Sequence, residues 1–293
     1  MLNRIFSILG AQWLIHQDTA ISYLPVLLAF VKGQEILMQP GDVMKPYIAG
    51  CNGPDQEINT CQRWEFEYDS IPDNSVAIIP IDGVICTWDT MQLLSWLKWV
   101  KENDRINAVL FLVNSPGGMV SQIDLLSNSI KELGKPTVAL IMGMAASAAV
   151  WAISGCTCRI ATSPIDMIGS IGTKTTFQDY AGMLEKIGIK VEDIYATLST
   201  RKDEQYRAYK DNGDTAPMIA MLDFINEVFH QNIRDNMGID AGSEVFTGAI
   251  YFAAQAQQLG LIDEINTMDY ALEKAYQLGL KNKIINQSKS FNF

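Results

Sequence analysis

The chain has 293 residues, with 22 Lys and Arg against 33 Asp and Glu for a formal net charge of −11. That length supplies a sizeable core for one large domain or two small ones. So acidic a chain lacks the clustered Lys and Arg that a phosphate backbone requires, which argues against nucleic acid as a partner.

The N-terminal stretch MLNRIFSILGAQWLIHQDTAISYLPVLLAFVKG begins like a signal peptide, but Gln12, His16, Gln17 and Asp18 interrupt its apolar run. The later run YLPVLLAFV holds nine residues and contains Pro25. Neither reaches the roughly 20 apolar residues of a membrane span. The pattern predicts an amphipathic helical arm, with a signal peptide as the alternative. The following QPGDVMKPYIAGCNGPDQEINTCQ, rich in Gly, Pro, Asn and Asp, predicts loop. Residues 1–70 therefore read as an N-terminal extension. Cys51, Cys61, Cys86, Cys156 and Cys158 form no CxxC pair and are odd in number. A Cys51–Cys61 bridge stays open, but a reducing cytoplasm is the simplest setting. With His16 and His230 the only histidines, no zinc site is expected.

A regular rhythm starts near Ser75. SVAIIPIDG predicts a buried strand, TMQLLSWLKWVKEN an amphipathic helix, NAVLFLVN a second strand and SQIDLLSNSIKELG a second helix. TVALIM is a third strand and CRIATS a fourth, and the chain turns mostly helical beyond about residue 203. Strands alternating with helices imply parallel βαβ units and an α/β fold. Residues 71–280 read as the working domain, and KNKIINQSKSFNF, 281–293, as a polar tail.

Two stretches carry chemistry. SPGG, Ser115 to Gly118, directly follows a strand, where paired glycines let backbone N–H groups turn toward a developing negative charge. Its plainer reading is a tight turn into a helix. IMGMAASAAVWAIS, 141–154, sets the hydroxyl of Ser147 among five alanines. That serine either caps its own helix backbone within a core helix or is a nucleophile at a strand-to-helix turn. In the second case the N–H of Ala148 is a further oxyanion donor, and the helix start adds a favourable dipole. A serine needs a base. No histidine lies between Ser147 and His230, and His230 falls in a long amphipathic helix as an ordinary partly packed residue. Lysine remains, a residue type that serves as a base when burial keeps the amine neutral.

NSPGGMV, GMAASAAVWAIS, ATSPIDMIGSIGT and VFTGAIYFAAQAQQLGLIDE, in this order and spacing over about residues 75–270, resemble the signal peptide peptidase A family of serine peptidases. That family includes membrane-attached signal peptide peptidases and bacteriophage head-maturation proteases. The resemblance implies a Clp protease/crotonase-like fold and a Ser–Lys dyad acting without metal or cofactor. It implies Ser147 as nucleophile, Gly117 with Gly118 as the oxyanion loop, and Ser170 of IGSIGT as a serine bonded to the catalytic lysine. The family lysine follows a strand, and Lys202, fifty-five residues after Ser147, stands at that point. The small residues usual before it are replaced by LSTR, and Lys174, Lys190 and Lys210 are the neighbouring alternatives. Alanines replace glycines after the serine, which bears on substrate preference more than on chemistry.

By the same resemblance the chain is expected to form a homo-oligomer whose lysine reaches its own or a neighbour's serine. The expected function is a cytoplasmic phage- or prophage-type protease trimming capsid or scaffold proteins. A membrane-associated signal peptide peptidase anchored through residues 1–31 is the alternative. A reading of another class is an inactive assembly subunit of the same fold. A crotonase-type acyl-CoA enzyme would share the fold but has no use for the serine.

Overall fold

The structure is a computed structural model and describes residues 13–15, 47–50, 59–63, 71–176, 181–186, 188 and 192–290. Its centre is a sheet built from runs with apolar residues at nearly every position. β4 (Ser75–Asp82), β5 (Ile106–Ser115) and β7 (Thr137–Ala146) lie side by side and parallel. β8 (Cys158–Ala161) pairs with the first half of β7 and β9 (Met167–Gly169) with its second half, both parallel. β10 (Ile250–Phe252) pairs antiparallel with β9, and β11 (Glu264–Ile265) runs parallel to β8.

Alternation along the strands divides the core in two. Ala77, Ile79, Ile81, Phe111, Val113 and Ile141 face one layer of helices. Val76, Ile78, Leu110, Leu112, Val138 and Leu140 face the other side, where Ala271, Leu272 and Ala275 meet them. A strand buried on both faces reads as a continuous apolar run, the property that made these strands visible in the sequence.

The first layer contains α1 (Thr87–Glu102), α2 (Ile123–Lys131), α3 (Ala148–Ser154) and, after α4 (Ala181–Lys186) and α5 (Glu204–Asn212), the long α6 (Ala216–Met237). α7 (Ala253–Gln258) follows β10, and α8 (Met268–Ser290) covers β4, β5 and β7 on the second face. The expected α/β architecture with a helical C-terminal part is present.

Three expectations change. The segment read as loop carries β2 (Tyr47–Gly50) and β3 (Asn59–Arg63), which extend the main sheet antiparallel from the edge of β4. An open sheet edge recruits short strands that the Gly-, Pro- and Asn-rich stretch around them conceals. Within the stretch expected to be a helical arm, Trp13–Ile15 form a strand, β1; the rest of that stretch lies outside the described residues, as does Cys51. α8 also runs through Ser290, so the helix continues into the segment read as a polar tail. Among the described residues no helix is long and apolar enough to cross a membrane.

Candidate active site

The sheet register aligns three strand ends. Ser115 pairs with Ala145 and Ala146 pairs with Gly169. The residues that follow, Ser147 after β7 and Ser170 after β9, are thereby neighbours at the C-terminal edge, where open parallel sheets bind ligands.

Ser147 is the whole turn between β7 and α3. Its φ of 55° and ψ of −117° lie where few residues other than glycine are found. The turn is fixed from both sides: the Ser147 N–H donates to the Gly169 carbonyl at 2.8 Å, and its own carbonyl accepts from the Trp151 N–H at 3.0 Å. The side chain is 1% exposed, and its Oγ has no hydrogen-bond partner. It does not cap the helix, which removes the reading of a core serine serving its own backbone. A buried, unpaired hydroxyl costs about 1–3 kcal/mol, and a strained backbone adds a similar amount. A residue chosen for stability would carry neither.

All of α3 is buried, and its alanines let it pack closely against β6 (Gly117–Met119) and α2. Trp151 stacks on Phe229 of α6 with ring centroids 4.5 Å apart. At the far end Gly155 is needed, because a β-carbon there would sit 2.3 Å from the Ser127 carbonyl oxygen. The Ala148 N–H opens the first turn of α3, where helix geometry offers no intrahelical acceptor.

The glycine pair is asymmetric. Gly117 has φ of 96°; its N–H donates to Ser115 Oγ at 3.1 Å and its carbonyl accepts from the Ile85 N–H at 2.9 Å. The Met119 N–H donates to the Ile85 carbonyl at 2.8 Å. Strand alternation therefore turns the N–H and carbonyl of Gly118 to the opposite edge of β6. Of the two glycines expected to serve as oxyanion donors, Gly117 already gives its N–H to Ser115 Oγ, while the N–H of Gly118 faces away from Ile85.

Ser170 also has positive φ, 55°, and its N–H donates to the Ala249 carbonyl at 2.7 Å. Lys202 sits in an exposed turn before α5, with no strand directly before it among the described residues, and makes no hydrogen bond to Ser147 Oγ within one chain. Lys174 is half-buried, Lys210 is exposed on α5 over the Tyr206 ring, and Lys190 lies outside the described residues. His230 packs tilted against Phe246 at 4.7 Å. Burial holds its imidazole below the ordinary value, opposed by Glu227 and a hydrogen bond to the Ile171 backbone.

Sequence reasoning missed Asp166. This buried carboxylate accepts from the Thr162 N–H at 2.8 Å, Thr162 Oγ1 at 2.9 Å, the Ser163 N–H at 2.9 Å and the Gly143 N–H at 3.0 Å. Its backbone carbonyl takes the Ala253 N–H at 2.8 Å. It ties the loop that delivers β9 and Ser170 to the mid-strand break of β7. Asp166→Ala strands three backbone donors and a hydroxyl, and is expected to cost about 3 kcal/mol of stability, measurable by denaturant unfolding.

A parallel-sheet α/β domain with a strained serine and a glycine strand at its C-terminal edge is of the Clp protease/crotonase-like class. The chain belongs to Peptidase family S49, whose model matches residues 129–281. It is 30% identical over 203 residues to "Putative protease MJ0651" of Methanocaldococcus jannaschii, covering 65% of this chain and 62% of that protein. Protease 4 of Haemophilus influenzae is 23% identical over 237 residues, 72% of this chain and 36% of that protein. The head-tail preconnector protein GP5 of Enterobacteria phage P21 is 26% identical over 211 residues, 67% of this chain and 42% of that protein. The match spans only about a third to three fifths of these relatives' lengths.

Proposed function

We propose that the chain is a serine endopeptidase in which Ser147 attacks a peptide carbonyl and Lys202 is the general base. The strain and missing hydrogen bond of the buried Ser147 hydroxyl support this reading most directly. The lysine amine takes the Ser147 proton as Oγ bonds to the carbonyl carbon. The N–H groups of Gly118 and Ala148 hold the resulting oxyanion, each contributing on the order of 3 kcal/mol. The protonated amine gives its proton to the departing amine, and water then hydrolyses the acyl-enzyme. Ser170, one strand over, orients the lysine.

The lysine acts on a neighbour's serine in a homo-oligomer. Ile194 and Leu198, on the segment leading to Lys202, are 93% and 94% exposed, an apolar surface that a second copy would cover. Covering that segment also removes water from the amine. The likeness to a phage head-tail preconnector protein favours capsid or scaffold polypeptides as substrates.

The test is labelling with a fluorophosphonate probe followed by peptide mapping. A single adduct on Ser147 is the expected result. An unlabelled protein, or an adduct on another residue, rejects the nucleophile.

A further inference from the structure

β6 has two edges, and both are occupied. Ile85 uses one through the Gly117 carbonyl and the Met119 N–H. Along the other lies β1, antiparallel, with Trp13 opposite Met119, Leu14 opposite Gly118 and Ile15 opposite Gly117. This is the edge to which alternation directs the N–H and carbonyl of Gly118, so Leu14 is the residue set to exchange backbone bonds with Gly118.

We infer that β1 is an intramolecular strap lying where an extended peptide would enter, and that it must leave before substrate binds; this rests on the peptidase reading above. With β1 gone, the glycine strand would offer unpaired backbone groups and little side chain to shield them, the condition under which a sheet edge accepts an added strand. Its occupant is an extended apolar tripeptide of the same chain. Ser147 is 1% exposed in this same arrangement, so access to the nucleophile requires some covering segment to move. β1 is suited to moving: among the described residues it pairs with β6 alone, over three residues, and so short a ladder is held by few bonds of small net worth. Tethering nonetheless gives it a high effective concentration against free peptide. The strap thereby sets a threshold that only a better-pairing or locally concentrated polypeptide exceeds.

The experiment uses Leu14→Pro, which removes the strand's central N–H, and a deletion of residues 1–15 as a second variant should the proline disturb folding. In a Ser147→Ala background, a fluorescein-labelled peptide of residues 9–19 is titrated by anisotropy. Both strap variants are expected to bind it about tenfold more tightly than the intact chain. Equal affinities, or no binding by any of them, overturns the strap. With Ser147 present, fluorophosphonate labelling is expected to be about tenfold faster in the strap variants, as removal of a bound competitor of that strength requires, and equal rates overturn it. Absence of labelling in all three rejects the peptidase reading, while the anisotropy result still decides whether β1 blocks the edge.

Discussion

Ser147→Ala and Lys202→Ala are each expected to lower kcat for peptide hydrolysis by roughly 10³-fold or more, as removal of one member of a nucleophile–base unit does. Neither loss should come from unfolding. Ser147→Ala deletes a buried hydroxyl that has no partner, so stability should hold or rise, the opposite direction to activity. Lys202 lies in an exposed turn where truncation costs little. Their combination is the sharper measurement. If the lysine serves a neighbour's serine, dissociating and reassociating equal amounts of the two inactive variants pairs intact serines with intact lysines at about a quarter of the interfaces. Activity should return toward that fraction. Two inactive variants that never complement place the base within the same chain. Activity surviving in Lys202→Ala passes the role to Lys174, Lys190 or Lys210.

What the sequence disclosed follows from the range of the forces involved. β4, β5 and β7 were legible because burial on both faces leaves a local record, an unbroken apolar run. Ser147 was legible as a candidate for a related reason: only small neighbours fit where α3 meets β6, and a hydroxyl among them stands out. Which glycine of SPGG offers its N–H was not legible. That choice is made by Ile85, whose pairing with Gly117 and Met119 fixes the direction of every group on β6. β1 was read as helix for the same reason, since three residues carry too little periodicity and their partner strand is remote in sequence. Asp166 gave no signal because its local bonds to Thr162 and Ser163 read as an ordinary turn, and only the fold brings the Gly143 N–H to the same carboxylate. Lys202 came from resemblance, and the single chain leaves it apart from Ser147.

Gly118→Ala is expected to lower kcat by about 10²-fold or more, the usual consequence of losing one oxyanion donor. A β-carbon at this position would lie 1.9 Å from the Ile85 carbonyl oxygen, 2.6 Å from its carbon and 2.7 Å from the Ile85 nitrogen. All three are backbone atoms of a segment bonded to both Gly117 and Met119, so no rotamer change relieves the overlap. β6 must move away from Ile85, and the Gly118 N–H moves with it. Gly155→Ala is the control. Its β-carbon would meet the Ser127 carbonyl oxygen at 2.3 Å, a comparable backbone collision, but at the end of α3 remote from Ser147. Both variants should melt earlier than wild type. If the oxyanion assignment holds, only Gly118→Ala loses kcat out of proportion to its loss of stability, and KM changes less than kcat, because the donor acts on charge that develops in the transition state. A Gly118→Ala protein with wild-type kcat would remove Gly118 from the reaction and leave Ala148 as the remaining candidate donor.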